Sequence, residues 1–324
     1  MSSNGKASGG IPFGVDLHVD TLSRAVALGL DPNAGDWPSL HVDADRARRG
    51  GVRAFLTACF TPDDCAEPAA EVERMLDYAD ALDAGSGPWL KVATAGELAA
   101  LEAGAIGMIP TIENARSLEG SPERIERWFA RGIRVLGVTW NGANDLASGV
   151  GAEEDLGLTP WGREAIAIAI ELGMAIDISH LAPLGVEQLL EQLLENDGAV
   201  LATHSNAAAL WPHRRNLTDA QLRALGAADG LVGINLYPSF LGEGTVDLEC
   251  VAAHVSHVAE LVGVERVAIG TDFDGIDRTP EGIPDVSALP RLDGALRAAG
   301  FSDHDVAGVR GENFVRWWRR RGPA

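Results

Sequence analysis

The sequence is poor in cysteine, which limits how its fold can be held together. Its 324 residues include three cysteines, at positions 59, 65 and 250. This odd number shows no close pairing of the kind used in thiolate zinc sites, so neither a disulfide framework nor a cysteine-bound zinc is indicated. The pattern favours a reducing compartment, and we predict a cytoplasmic protein.

Long apolar runs are also missing. No stretch approaches the roughly 18 consecutive apolar residues that a membrane-spanning helix requires. Residues 1–10 are rich in Ser and Gly and hold a single lysine, so they do not form a secretory signal. We expect a flexible N-terminal arm at 1–10 and no membrane partner.

Positive charge is scarce. Lys and Arg together number 26 against 47 Asp and Glu, which gives a formal net charge of -21. Such a surface repels phosphate backbones and anionic headgroups, so nucleic acids and membrane surfaces are poor candidate partners. Clustered carboxylates could instead attract metal cations. The basic, Trp-containing segment at 316–321 is predicted to be a terminal helix that docks its tryptophans on the protein.

What the chain does contain is a regular alternation of β-rich runs and helical patterns. The runs are nearly all apolar on both faces and each precedes a crossover, which favours a closed parallel (β/α)8 barrel of the TIM type over a doubly wound sheet. No linker divides the chain, so we predict one domain at 11–324 that includes the C-terminal helices. The acidic, Gly-rich segment at 144–158 is predicted to be a long active-site loop. The eight predicted strands lie at about 13–19, 51–60, 106–112, 133–139, 174–178, 199–203, 231–235 and 266–271. The predicted helices lie at about 67–82, 160–172, 183–195, 218–225, 248–262, 286–299 and 302–319, and a further one begins at Ser121, where serine can cap the first turn.

Polar side chains follow most of these strands, where barrel enzymes carry their chemistry. In the first strand His18 and Asp20 should share one face, with Leu17 and Val19 on the other. Each such residue alone is usually structural. Their appearance together, in register with the barrel, indicates one shared site. The candidates are His18, Asp20, Glu113, Trp140, Asn141, His180, His204, Asp272 and Asp274.

These residue types suit a metal site. Three imidazoles and two or three carboxylates match a pair of borderline divalent ions such as zinc, provided that one carboxylate bridges them. Two such metals about 3.5 to 4 Å apart can share a hydroxide, polarise a carbonyl and stabilise a tetrahedral oxyanion. A further carboxylate can carry the proton from the hydroxide to a leaving amine.

At these residues the chain resembles the renal or membrane dipeptidases, zinc metallopeptidases of the amidohydrolase barrel superfamily. The resemblance runs from about Asp16 to the C-terminus. Its pieces are specific only as a set. They are the His-x-Asp strand, the lone Glu113, Asp-Ile-Ser-His ending at His180, Thr-His-Ser around His204, Arg-Arg-Asn-Leu-Thr-Asp from 214, Gly-Thr-Asp-Phe-Asp-Gly around Asp272 and Gly-Glu-Asn-Phe from 311.

The resemblance implies a role for each matched residue. His18 and Asp20 would bind one zinc, His180 and His204 the other, and Glu113 would bridge the two. Asp272 would be the catalytic acid and base. Arg215 would bind the C-terminal carboxylate of a dipeptide. Without the resemblance, Arg214 and Arg215 would be interpreted as a solvated pair.

One position departs from the family pattern. Where the family has a histidine after the fourth predicted strand, this chain has Trp140, which donates one hydrogen bond and cannot be cationic. Asn141 is a candidate for substrate contact instead, and it fits a turn residue at least as well. The primary prediction is a dinuclear zinc dipeptidase acting on a small dipeptide-like substrate, with L-D as well as L-L peptides considered.

Several alternatives stay open. The same metal site could hydrolyse another amide or a lactone, such as an N-acyl amino acid or a cyclic amide. A metal-containing binding module is a third hypothesis, which Asp272 argues against because a binding module needs no proton shuttle. The preferred dipeptide and the number of chains are open too, with a homodimer as one candidate. His41, His213, His254, His257 and His304 are predicted to be surface or helix residues.

Overall fold

Parallel strands alternate with helices along the part of the chain that the computed structural model describes, residues 13–30, 37 and 39–323. The predicted flexible arm at 1–10 lies outside the described residues. So do residues 11–12, 31–36, 38 and 324 of the predicted domain. The strands are β1 Gly14–Val19, β2 Val52–Phe60, β3 Trp89–Lys91, β4 Ile106–Glu113, β5 Val135–Gly137, β6 Ala175–Asp177, β7 Val200–Ala202, β8 Leu231–Ile234 and β9 Val267–Ile269.

Thirteen α-helices are assigned in the described ranges. They are α1 Thr21–Leu28, α2 Ala44–Gly50, α3 Pro68–Asp83, α4 Ala95–Ala100, α5 Pro122–Ala130, α6 Pro160–Glu171, α7 Pro183–Asn196, α8 Asp219–Ala227, α9 Pro238–Leu241, α10 Leu248–Val262, α11 Pro290–Ala298, α12 Asp303–Ala307 and α13 Asn313–Arg321. Short 3₁₀ helices lie at Ala115–Leu118, Val264–Arg266 and Val286–Ala288, and a π-helical turn at Gly308–Glu312. Among the described helices none has the length and apolar character needed to cross a lipid bilayer.

Eight of the strands close into a barrel, which confirms the predicted (β/α)8 fold. Their order is β1, β2, β4, β5, β6, β7, β8 and β9, and β9 pairs with β1. All neighbours are parallel, so their carboxyl ends meet at one mouth. The ninth strand, β3, pairs with the first half of β4 and has no counterpart in the sequence prediction. Three residues are too few to show a strand period.

The barrel separates two apolar clusters. A large cluster fills the space between the strands and the surrounding helices, and it includes Phe55 and Val19. A smaller one includes Leu17, Leu56 and Ile109, and it is continuous with α13, whose Trp317 and Trp318 are buried. Trp317 Nε1 donates to the carbonyl of Asp229, just before β8 begins, so α13 seals the end of the barrel opposite the mouth. The predicted docking of the C-terminal tryptophans is confirmed.

The first strand does not alternate as predicted. Leu17 and Val19 were expected on one face, yet they belong to different clusters. Relative to β2, the register of β1 shifts between Asp16 and Val19, where three steps along β1 correspond to two along β2. Such a bulge re-aims the side chains that follow it. His18 and Asp20 nevertheless reach the same site, as predicted.

Two helical predictions also need correction. Ser121 precedes α5 as expected, but its hydroxyl donates to Glu123 and caps no backbone N–H. The single helix predicted from about 302 to 319 is α12 and α13, separated at Gly311, whose φ is 156°. A Cβ at Gly311 would lie 2.3 Å from the backbone nitrogen of Val15, so only glycine lets this turn pack against the start of β1.

Candidate metal centre

Six predicted site residues converge at the mouth of the barrel. They come from five strand ends, which explains why residues far apart in the chain meet. Backbone bonds pin two of these ends together, because Asp20 N donates to the carbonyl of Phe273 and Asp272 N to that of His18. The converging residues are His18 and Asp20 after β1, Glu113 at the end of β4, His180 after β6, His204 after β7 and Asp272 after β9.

Glu113 lies between two sets of candidate ligands. Its Oε2 is 3.3 Å from His18 Nε2, which is in turn 3.6 Å from Asp20 Oδ2. Its Oε1 is 3.2 Å from His180 Nε2 and 3.9 Å from His204 Nε2. The two carboxylate oxygens therefore face different sets, which is the arrangement that a bridging ligand requires.

The donor atoms fit divalent cations. His18 Nε2 is buried and makes no hydrogen bond, and the Nε2 atoms of His180 and His204 face each other at 3.0 Å. Burial, with Arg215 nearby, holds the pKa of both His180 and His204 well below the ordinary value, so their lone pairs are available. Burial opposes a charge on His18, yet Glu113 and Asp20 hold its pKa well above the ordinary value. The site thus favours positive charge where a cation would bind.

Backbone conformation helps to aim these side chains. His180 and Asp272 have φ values of 67° and 65°, in the left-handed region that few non-glycine residues adopt. Each lies three residues beyond the end of its strand, where the chain must turn while the side chain stays in the mouth. Such strained residues concentrate at functional sites.

Asn141 contacts a ligand imidazole. Its Oδ1 lies 3.1 Å from His180 Nδ1, so that Nδ1–H donates and Nε2 keeps its lone pair for a metal. The loop around Asn141 is tightly held, because Gly151 N donates to its carbonyl and Asp63 accepts from Gly142 N. A Cβ at Gly149 would lie 2.2 Å from the carbonyl oxygen of Trp140. The predicted long loop at 144–158 therefore supports the site through Asn141.

Asp272 lies within reach of the ligands from both sets. It forms a possible cation group with His18 and His204, with one donor atom of each inside a 4.8 Å span. Burial raises its pKa, with the charge of Asp20 adding to the effect, and Asn235 Nδ2 donates to its Oδ2 at 2.9 Å. Asp274, the other carboxylate in this motif, instead accepts from Thr21 and from the backbone of His41.

Arg215 is buried beside the centre while Arg214 is exposed. Its Nη2 donates to the carbonyl of His204 at 3.2 Å and its guanidinium lies over the ring of Phe240. Its Nε is buried without a partner, so the guanidinium has unused donor capacity. Burial lowers the pKa of Arg215, although the negative charges of Asp272 and Glu113 act to raise it. A buried guanidinium with a free donor suits an anionic group of a ligand.

A cavity of about 860 Å³ opens over these residues. Asp20, Glu113, His180 and Asp272 lie at its base. Its walls include Trp140 and Phe60, which pack edge to face with ring centroids 5.1 Å apart, and on another side Tyr237 and Phe240. Trp140 thus lies where a ligand would contact it.

Sequence reasoning missed several supporting residues. Asn235 closes a predicted apolar strand with a polar group, a signal that could have marked it. Asp177 and Thr203 belong to the motifs around His180 and His204, but the sequence predicted no function for them. His41, predicted to be a surface or helix residue, contacts Asp274 beside the cavity. His254 lies on a helix, α10, as predicted, but it is buried there at 1% exposed. Neither the His41 contact nor the burial of His254 can be inferred from a single segment of chain.

Comparisons with known proteins identify the family. A family model described as membrane dipeptidase, peptidase family M19, matches residues 13–321. The chain belongs to the membrane dipeptidase family. This confirms the resemblance found in the motifs, and it makes the protein a metal-dependent hydrolase.

Individual members of the family are similar over most of the fold. A solved M19 metallopeptidase, dipeptidase AC, gives a TM-score of 0.89 at 27% identity and covers 97% of this chain and 100% of its own. A metallopeptidase from Rhodobacter sphaeroides, solved with a phosphinate mimic of the dipeptide L-Ala-D-Ala, gives 0.87 at 26% identity, with 96% and 100% covered. Dipeptidase aclJ of Aspergillus oryzae is 34% identical over 218 residues, which are 66% of this chain and 51% of that protein. The match thus spans about half the length of this curated relative.

Proposed function

We propose that this protein is a dinuclear zinc dipeptidase that hydrolyses the peptide bond of L-L and L-D dipeptides. The observation that carries the proposal is the position of Glu113, whose two oxygens face separate ligand sets at 3.3 and 3.2 Å. His18 and Asp20 would hold one zinc, and His180 and His204 the other. When bound, the pair would supply a bridging hydroxide as nucleophile and polarise the scissile carbonyl.

The remaining roles belong to Asp272, which lines the cavity, and to Arg215, which is buried beside the metal centre. Asp272, held by Asn235, would take a proton from the nucleophile on its carboxylate and return it to the leaving amine. Arg215, with its unused donor, would bind the free carboxylate of the dipeptide. The solved relative that holds an L-Ala-D-Ala mimic supports a D-residue at that end as an expectation for this chain.

Trp140 keeps a second candidate function open. Its indole and the ring of Phe60 give the cavity an aromatic wall, which could accept the acyl part of an N-acyl amino acid or a cyclic amide. The metal centre would serve either reaction. Cytoplasmic location and assembly as a homodimer remain predictions from the sequence.

Metal analysis combined with a substrate panel tests the proposal. We expect elemental analysis of protein prepared without chelator to give about two zinc ions per chain, because five ligand side chains with a shared carboxylate fit a two-metal site. Glu113→Gln should lower occupancy of both sites. Turnover of L-Ala-L-Ala and L-Ala-D-Ala should exceed that of N-acetyl-alanine. One metal per chain would refute the dinuclear centre, and preference for the acyl amino acid would favour the second function.

A further inference from the structure

We propose that Asp177 and Thr203 are positioning residues that fix the tautomer of His204, so that its Nε2 faces the metals. Thr203 Oγ1 lies 2.5 Å from Asp177 Oδ2 and 2.7 Å from His204 Nδ1. All three side chains are at most 5% exposed. Neither Asp177 nor Thr203 lines the cavity, so they would act through the ligand imidazoles that Thr203 contacts and not on the substrate itself.

The direction of each hydrogen bond follows from counting protons. Asp177 Oδ1 accepts two backbone N–H groups, from Ser179 and Thr203, both at 2.9 Å. Its Oδ2 can only accept, so the Thr203 hydroxyl must donate to it. That hydroxyl has no second proton to donate. His204 Nδ1–H must therefore be the donor in the contact between His204 Nδ1 and Thr203 Oγ1. Nε2 is left with its lone pair, 3.0 Å from His180 Nε2.

The same hydroxyl also reaches the other ligand set. Thr203 Oγ1 lies 3.4 Å from His18 Nδ1, and the rings of His18 and His204 are 3.7 Å apart between centroids. One buried oxygen thus contacts a candidate ligand of each metal. Outer partners of ligand imidazoles orient the ring, and their loss typically costs about 10- to 100-fold in metal affinity or activity.

Asp177→Asn separates this role from simple packing. The asparagine oxygen would be held by the two backbone N–H groups, which leaves its NH₂ group facing Thr203 Oγ1. The amide would then donate, and the Thr203 proton would have to point at His204 Nδ1. This reversal moves the imidazole proton to Nε2, the atom needed for metal. A nearly isosteric change should therefore weaken zinc binding.

Two measurements test this Asp177–Thr203–His204 relay: zinc affinity by chelator competition, and the His204 tautomer by ¹⁵N NMR of the protein after a chelator has removed the metal. Thr203→Ser keeps the hydroxyl and should bind zinc within about threefold of wild type, whereas Thr203→Val and Asp177→Asn should lose about 10- to 100-fold. The expected wild-type signal is a proton on Nδ1. Thr57→Val is the matched control, because Thr57 on β2 is also a buried threonine of the barrel and its hydroxyl makes no hydrogen bond.

The outcomes separate clearly. Wild-type zinc affinity with the Nδ1–H tautomer kept in Asp177→Asn would overturn the relay, as would equal losses in Thr57→Val and Thr203→Val. If Thr203→Val fails to fold, Thr203→Ser and Asp177→Asn still decide, since Asp177→Asn is nearly isosteric and Thr203→Ser removes only one methyl group. The affinity and NMR readouts do not depend on which substrate the enzyme prefers.

A separate observation concerns the substrate. We infer that Phe60 and Trp140 form a subsite for a large apolar side chain on the acyl side of the scissile bond, which is the first residue of the dipeptide, an inference that rests on the proposed dipeptidase function. Phe60 ends β2, and in the closed barrel β2 lies across from β7. The loop after β7 carries Arg215, the residue proposed to bind the free carboxylate of the dipeptide. A dipeptide anchored there and centred on Glu113 would extend its first residue toward the aromatic pair.

Apolar contacts continue beside this pair. Pro62 and Met75 line the same cavity as Phe60, and the Trp140 ring centroid lies 6.3 Å from that of His180. The cavity volume of about 860 Å³ leaves room for a bulky side chain beside the metal centre. A hydrophobic subsite of this kind discriminates between large and small side chains by about 1 to 3 kcal/mol, or roughly 10- to 200-fold.

Two dipeptide series test the subsite, with Phe, Leu or Ala placed first or second and Ala at the other position. Phe60→Ala and Trp140→Ala should each lower kcat/KM for Phe-Ala about tenfold more than for Ala-Ala. Ala-Phe should show no such excess. Phe240→Ala, on the Arg215 side, is the control and should lower kcat/KM for Phe-Ala no more than for Ala-Ala. An excess in the Ala-Phe series, or equal losses for Phe-Ala and Ala-Ala, would overturn the assignment. Absence of any dipeptide turnover by the wild type would instead refute the proposed function.

Discussion

Asp272 illustrates how a single carboxylate can be tested apart from the metal site that surrounds it. It lies with His18 and His204 yet has its own partner, Asn235, which donates to Oδ2. We expect Asp272→Asn to keep its zinc and to lose about 10²- to 10⁴-fold in kcat, the usual contribution of general acid and base catalysis. Metal analysis and steady-state kinetics on the same preparation check this. Near-normal turnover would transfer the proton role to another group, with Asp274 the next candidate.

Arg215 offers a second test at the level of one residue. A guanidinium binds a carboxylate through two parallel bonds and an ammonium cannot, so Arg215→Lys should lose at least about tenfold in kcat/KM on a dipeptide, or about 1.4 kcal/mol. The loss should be much smaller on the corresponding dipeptide amide. Arg214→Lys, next to it but exposed, is the control and should behave as wild type. Equal losses on both substrates would remove Arg215 from carboxylate recognition.

At the level of elements, the sequence predicts what is local and repetitive. The helix predicted at 248–262 is found at those bounds as α10, because its apolar residues recur at helical spacing over fifteen positions. The ligand positions follow from strands that each end in a polar group. β3 escapes prediction because it is short, and the contact between Asn141 and His180 because it depends on how two loops approach each other.

His254 shows how one such unpredicted contact joins elements. From α10, its Nδ1 accepts from Ala207 N in the loop after β7, and its Nε2 contacts the carbonyl of Leu241 at the end of α9. Burial lowers its pKa below the ordinary 6.5. The unfolded chain therefore takes up this proton more readily, so the stabilisation is present above about pH 6.5 and is lost as pH falls below it.

The pH dependence gives an element-scale prediction. His254→Asn keeps an acceptor for Ala207 but loses the bond to Leu241 and cannot titrate, so it should be less stable than wild type by about 1 kcal/mol near neutral pH. Urea unfolding at about pH 7.5 and about pH 5.5 should show that difference shrinking at the lower pH. His304, whose side chain lies on the exposed surface, serves as the matched control through His304→Asn. A difference that grows on acidification would contradict a neutral His254.

The whole molecule divides its tasks between the two ends of the barrel. The mouth carries the ligands, the strained backbone and the cavity, while α13 closes the other end with Trp317 and Trp318. Basic residues on α13 pair with acidic ones, since Arg320 contacts Asp229 and Arg321 contacts Asp197. These two arginines thus have acidic partners within the protein, and the absence of a nucleic-acid partner stays a prediction from the net charge of -21.

This separation predicts that stability and catalysis respond independently to changes at the closed end. Trp318 is fully buried against Phe314, with ring centroids 5.3 Å apart, so Trp318→Ala should cost about 3 to 5 kcal/mol of unfolding free energy. At a temperature where the variant is folded, kcat/KM and zinc content should match wild type, because the cavity left by the ring lies at the far end of the barrel from Glu113. Denaturant unfolding measured beside kinetics checks both parts, with Arg319→Ala on the exposed face as control, expected within about 0.5 kcal/mol of wild type. A stable Trp318→Ala variant would show that α13 does not seal the barrel, and a folded variant with impaired catalysis would show that the two ends are coupled.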